Sequence, residues 1–117
     1  MKFHRVLLFT SIQMDINPIG EDLLVVLTAQ GQPFIGCTTY SWLDPDSQKC
    51  ESSVLATVED PESLMCTYVA ESLCEKTGKN VLCTGGVFVD DPDEGQIKKL
   101  YENIDEMIMD WVNFLND

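Results

Sequence analysis

Four carboxylates crowd into Asp90-Asp91-Pro92-Asp93-Glu94-Gly95, the densest cluster of potential metal ligands in the chain. The chemistry to test there is calcium binding. With Gly95 at the turn position of an EF-hand loop, Pro92 and Tyr101 fall where oxygen ligands are required, so the spacing fails. The segment reads instead as a loop leading into a helix cap, with Asp90, Asp91 and Asp93 free to meet Lys or Arg on a partner. Cys83-Thr84-Gly85-Gly86 places a thiol beside two glycines, as a nucleophile backed by backbone amides would be. A cysteine nucleophile needs a base or a local positive field to become thiolate. His4 is the one histidine, it lies in the first predicted strand, and the chain is strongly acidic. Cys83 is therefore expected to pack in the core. Two glycines without a third, and without a following helix, do not make a phosphate loop. No catalytic, cofactor-binding or metal-ligating set emerges, and the expectation is a protein that binds rather than one that catalyses.

The aromatic residues are the better guide to binding. Tyr40 and Trp42 lie in a predicted strand, with core packing as the plain alternative to a partner role. Trp111 lies inside the apolar stripe of the last helix, where core packing competes with a partner role. Phe114 and Leu115 end that helix, where a small domain has little with which to cover them. Aromatic anchors dominate interface energetics, so Tyr40, Trp42, Trp111, Phe114 and Leu115, with the three aspartates, form the candidate partner interface.

Charge narrows the partners. Twenty acidic residues against seven basic ones give a net charge of −13 in 117 residues, with no basic run. Nucleic acid and anionic membrane surfaces both call for clustered positive charge, so neither is expected as a partner. Lys2-Phe-His-Arg5 followed by Val6-Leu-Leu-Phe9 imitates the start of a signal peptide, but Thr10, Ser11, Gln13 and Asp15 break it without a cleavage site. Five cysteines, an odd number with no CxxC spacing, fit reduced thiols in a cytoplasmic protein, with the nucleus as a further location. The length fits a single domain, 1–117.

These residues need elements to hold them. Residues 4–14 read as a strand, and 15–22, with Asn17-Pro18 and Gly20, as the turn that ends it. Leu23-Leu-Val-Val-Leu27 is an unbroken apolar run, expected to be central with both faces covered. After the turn at residues 30–33, Phe34 to Trp42 makes a third strand, and the short links predict an antiparallel meander. A polar loop leads to a fourth strand, Ser53 to Val58. Asp60, Pro61 and Glu62 announce a helix in which Met65, Cys66, Val69 and Leu73 face inward and Thr67, Glu71 and Glu75 face water. Gly78 suits a left-handed cap. Val81 to Val89 is a fifth strand, its Gly85-Gly86 marking a bulge or a close backbone approach.

Asp91 as cap, Pro92 as first residue and Glu94 as reciprocal partner then open the last helix, 92–116. Its apolar positions, Ile97, Leu100, Tyr101, Ile104, Met107, Ile108, Trp111, Val112, Phe114 and Leu115, span an arc of roughly 160°, wider than the ~100° that seats a helix on one core. The fold expected is α+β, an antiparallel β-sheet with two flanking amphipathic helices in the order β-β-β-β-α-β-α.

With this layout the chain resembles the small proteasome assembly chaperones, the family of chaperones 3 and 4. The resemblance rests on LLVVLTAQG at 23–31, SSVLAT at 52–57, LMCTYVAESLCEKTGKNVLCTGGV at 64–87 and IKKLYENIDEMI at 97–108. It implies a non-enzymatic chaperone without a cofactor, acting as a dimer with itself or a related small chaperone subunit. It also implies docking on a proteasome α-subunit during α-ring assembly. A roadblock- or longin-like dimeric scaffold for regulatory or trafficking complexes is the alternative, and a chain opening with a helix would favour it.

Overall fold

Alternation of buried and partly exposed positions builds the sheet. In the computed structural model, which describes residues 1–31, 33–56 and 64–116, Ile12, Met14 and Ile16 of β2 (Ser11–Ile19) are buried. So are Leu23, Val25 and Leu27 of β3 (Asp22–Ala29), while the residues between them are partly exposed. The remaining elements are β1 (Lys2–Val6), β4 (Cys37–Leu43), β5 (Cys50–Ala56), α1 (Met65–Thr77), β6 (Val81–Gly86) and α2 (Glu94–Asn116). The α+β class holds, as one six-stranded sheet in the order β1-β2-β3-β6-β4-β5 with two helices.

The sheet is mixed, not antiparallel. β6 runs parallel to β3, pairing Leu23 with Val81 and Val25 with Cys83, and antiparallel to β4. It wedges between β3 and β4, which the meander reading had as neighbours. Gly85 makes this insertion feasible. It sits at φ 126°, and a Cβ there would stand 2.0 Å from the Leu27 carbonyl oxygen. The glycine pair thus marks a close backbone approach, as expected, and the strand ends at Gly86 rather than Val89.

The expected first strand is in fact a hairpin. The run 4–14 divides into β1 and β2 around a turn closed by the Leu7 N–H donating to the Thr10 carbonyl at 2.7 Å. β2 then continues through 15–19, where a turn was expected. Pro18 is tolerated because it lies beyond the end of β1, whose pairing stops at Asp15, so only one neighbouring strand remains to be bonded. The third and fourth expected strands are displaced by a few residues, to Cys37–Leu43 and Cys50–Ala56.

Both helices lie on the face carrying Ile12, Met14, Val25, Leu27, Cys83 and Cys37, and join them in one core. α1 contributes Met65, Cys66, Val69, Ala70, Leu73 and Cys74. Thr67 belongs to this inward side too: its hydroxyl shares a 2.7 Å hydrogen bond with buried Thr39 of β4, so the supposed polar lane begins only at Glu71. Gly78 ends the helix in the left-handed conformation, its N–H donating to Cys74. The Asp60-Pro61-Glu62 start lies outside the described residues. α2 contributes Leu100, Ile104, Met107, Ile108 and Trp111. Its cap is Asp93, not Asp91. The Asp93 carboxylate accepts from Gln96 N–H at 2.7 Å, and the Gln96 side-chain oxygen accepts from Asp93 N–H at 3.1 Å. Pro92 and Glu94 therefore shift to just before and just inside the helix, and Gln96 takes the reciprocal role.

Candidate docking surfaces

Among the described residues, the helices cover one face of the sheet and leave the other open. Register determines what the open face presents, because directly paired residues point the same way. One row runs Asn17, Leu24, Leu82, Tyr40, Ser53 across β2, β3, β6, β4 and β5. The next runs Asp15, Val26, Thr84, Thr38, Leu55, with the Thr38 and Thr84 hydroxyls bonded at 2.8 Å. Leu24, Val26, Leu82, Tyr40, Trp42 and Leu55 form an apolar strip over four strands, and Lys2, His4, Gln13, Asp15 and Asn17 form a polar border over the other two.

Tyr40 and Trp42 stack with centroids 5.6 Å apart, and Tyr40 is 41% and Leu55 76% exposed. The apolar run 23–27 is thus covered on one face only: Leu24 and Val26 are half-exposed. Sequence reading found Tyr40 and Trp42 but missed Leu24, Val26, Leu82 and Leu55. Their shared face depends on β6 entering between β3 and β4.

The end of the sheet where β1 meets β2, β3 leads to β4 and β6 leads to α2 forms a second surface. Leu8, Ile35 and Phe88 are all more than half exposed there, near Asp90, Asp91 and Asp93. Two open grooves divide it. One of about 470 Å³ is walled by Pro33, Phe34, Gly86 and Phe88. The other, of about 920 Å³, lies between Val6–Phe9 and the start of α2, with Gln96, Lys99 and Asn103 on its far wall. Asp93 is committed to the helix cap, and among the described residues no group of three or more potential ligands could hold a metal ion.

The remaining candidates separate. Trp111 is 4% exposed, so it is a core residue and not a surface anchor. Its indole N–H finds no partner among the described residues. Phe114, stacked on it at 5.7 Å, and Leu115 are exposed at the end of α2. α1 and β1 take up part of the wide arc of α2, α1 through the edge-on Tyr68–Tyr101 pair at 5.0 Å. Cys83 is fully buried, and that burial pushes its thiol well above the usual range, the opposite of what a nucleophile requires. Tyr68 is raised chiefly by its hydrogen bond to the Asp105 carboxylate, which favours the phenol form.

Comparison with known proteins adds to this geometry. A family model described as the prenylated flavin chaperone LpdD-like domain matches residues 9–116. No curated protein sequence matches significantly. Among solved structures, a chain from the crystal structure of a novel chaperone complex for yeast 20S proteasome assembly superimposes with a TM-score of 0.59 at 12% identity. The match covers 99% of this chain and 94% of that one, and so shows a shared fold.

Proposed function

We propose that this chain, which belongs to the family of the prenylated flavin chaperone LpdD-like domain, is a non-enzymatic chaperone that works as a dimer and acts on a protein client. The observation that carries the reading is the open sheet face. An apolar strip crossing four adjacent strands, with a stacked Tyr–Trp pair on β4, suits face-to-face sheet packing about 10 Å apart. The second sheet comes from another copy or from a related small chaperone. A net charge of −13 opposes self-pairing, so a less acidic sibling would meet weaker repulsion.

The family name raises the question of a bound flavin nucleotide. The larger groove has the volume for a ring system, but Lys99, its one cation among the described residues, lies 3.7 Å from the Glu102 carboxylate, and Asp93 also lines it. A phosphate calls for several convergent donors without an opposing carboxylate. The groove residues do not fit the nucleotide, which favours a protein client over a carried cofactor.

Family membership favours a client that uses prenylated flavin. The fold shared with the yeast proteasome-assembly chaperone complex, together with the resemblance at 23–31, 52–57, 64–87 and 97–108, favours a second reading. In it the client is a 20S proteasome α-subunit during α-ring assembly. Affinity purification of the tagged protein from its own source, with mass spectrometry of what copurifies, tests these readings. A prenylated-flavin protein supports the first and proteasome α-subunits the second. A monomer at high micromolar concentration with neither companion refutes the chaperone reading.

A further inference from the structure

Two of the five thiols are placed for reaction with each other. Cys50 opens the edge strand β5, and Cys74 lies in the C-terminal part of α1, above the sheet. The Sγ atoms of Cys50 and Cys74 stand 2.7 Å apart. Cys50 is half-buried and lines a surface recess of about 400 Å³ together with Leu43, Gln48, Lys49 and Glu75, so a small reagent reaches its sulfur from water. Cys74 is wholly buried behind it. Cys37, Cys66 and Cys83 are also buried, and none of them lines this recess.

We propose that Cys50 and Cys74 are an oxidative modification site, a dithiol that a low-molecular-weight disulfide such as oxidised glutathione converts into an intramolecular disulfide joining β5 to α1. In the first step the Cys50 thiol loses its proton to water and its thiolate attacks one sulfur of the small disulfide. A mixed disulfide forms on Cys50 and one small thiolate leaves. In the second, Cys74 gives up its proton and attacks the Cys50 sulfur. The Cys50–Cys74 bond forms as the bond to the small thiol breaks, and a second small thiolate leaves. Two protein thiols are oxidised and one small disulfide is reduced to two thiols.

The environments assign the order. Burial, reinforced by the Cys50 contact, pushes the Cys74 thiol up to about 12, so it is a poor first nucleophile. Its proximity makes it the resolving partner, since the sulfurs need move only slightly to reach a bond of roughly 2.04 Å. The bond closes a ring across the β5–α1 connection. It also pins the strand that carries Ser53 and Leu55 of the open face, which among the described residues otherwise pairs with β4 alone. This inference stands whether or not the chaperone reading does.

The test is to incubate the full chain with oxidised glutathione and to map disulfides after digestion without reductant. The expected product is a single chain lighter by about 2 Da, with the Cys50 and Cys74 peptides linked. Its melting temperature should be several degrees higher and fall back on reduction. Cys50→Ser, at a half-exposed position the fold tolerates, should lose both the link and the thermal gain. Three results would each overturn the proposal: a glutathione adduct that persists on Cys50, a link between other cysteines, or the same Cys50–Cys74 yield from chain unfolded in denaturant.

Discussion

Replacing Tyr40 by Ala tests the open face most directly, because the effects on folding and on association separate. In the single chain Tyr40 is 41% exposed and its main ring contact is Trp42. Losing that stack should cost the fold about 1 kcal/mol. In a dimer sealed across the open face, the exposed fraction of the ring becomes buried. For a side chain that presents about 200 Å², 41% is roughly 80 Å², or about 2 kcal/mol at 25 cal/mol per Å². A symmetric homodimer loses this twice, about 4 kcal/mol, a weakening near a thousandfold. A heterodimer loses it once, about thirtyfold.

Sedimentation velocity across a concentration series, at about 0.15 M salt so that repulsion between acidic copies is screened beyond ~8 Å, reads the association. A thermal melt followed by far-UV circular dichroism reads the fold. Unchanged association with an unchanged melt would show that the open face is not the interface. A melt lowered by more than about 3 kcal/mol would show that Tyr40 belongs to the core of the single chain.

Trp111→Ala, at a 4% exposed position, should cost about 3–5 kcal/mol in chemical denaturation, and an unchanged midpoint would return Trp111 to the surface. Gly85→Ala should cost at least about 3 kcal/mol or prevent folding, because it sets a Cβ 2.0 Å from the Leu27 carbonyl oxygen at φ 126°. A soluble variant with the wild-type melt would mean that β3 and β6 do not pair in this register. Phe114→Asp, at a position 53% exposed, should leave the fold within about 1 kcal/mol of wild type while weakening any association made through the end of α2. Collapse of the fold in that variant, read by circular dichroism, would place Phe114 in the core instead.

Much of the local structure was legible without coordinates. The 3.6-residue periodicity of 97–111 identified the buried stripe of α2, because helical geometry alone determines which side chains share a face. Gly78 announced its left-handed cap and Gly85 its close approach, since both conformations exclude a Cβ at low cost. The cap of α2 was placed two residues early because Asp91 and Asp93 are equally good caps in isolation. The choice fell to Asp93 when Gln96 reciprocated.

What the sequence by itself determined was the two helices, the buried stripe of α2, the approximate place of most strands and the excess of acidic charge, all properties of a chain segment and its near neighbours. Only the tertiary structure decided that β6 enters between β3 and β4. That insertion turned a meander into a mixed sheet and gathered Leu24, Val26 and Leu82 beside Tyr40, Trp42 and Leu55. It decided likewise that Trp111 is covered while Phe114 is not, and that Cys50 meets Cys74. The physical reason is common to all three: strand alternation and helix periodicity assign a side chain to a face, whereas what covers that face depends on pairings distant in sequence that form only when the whole core packs.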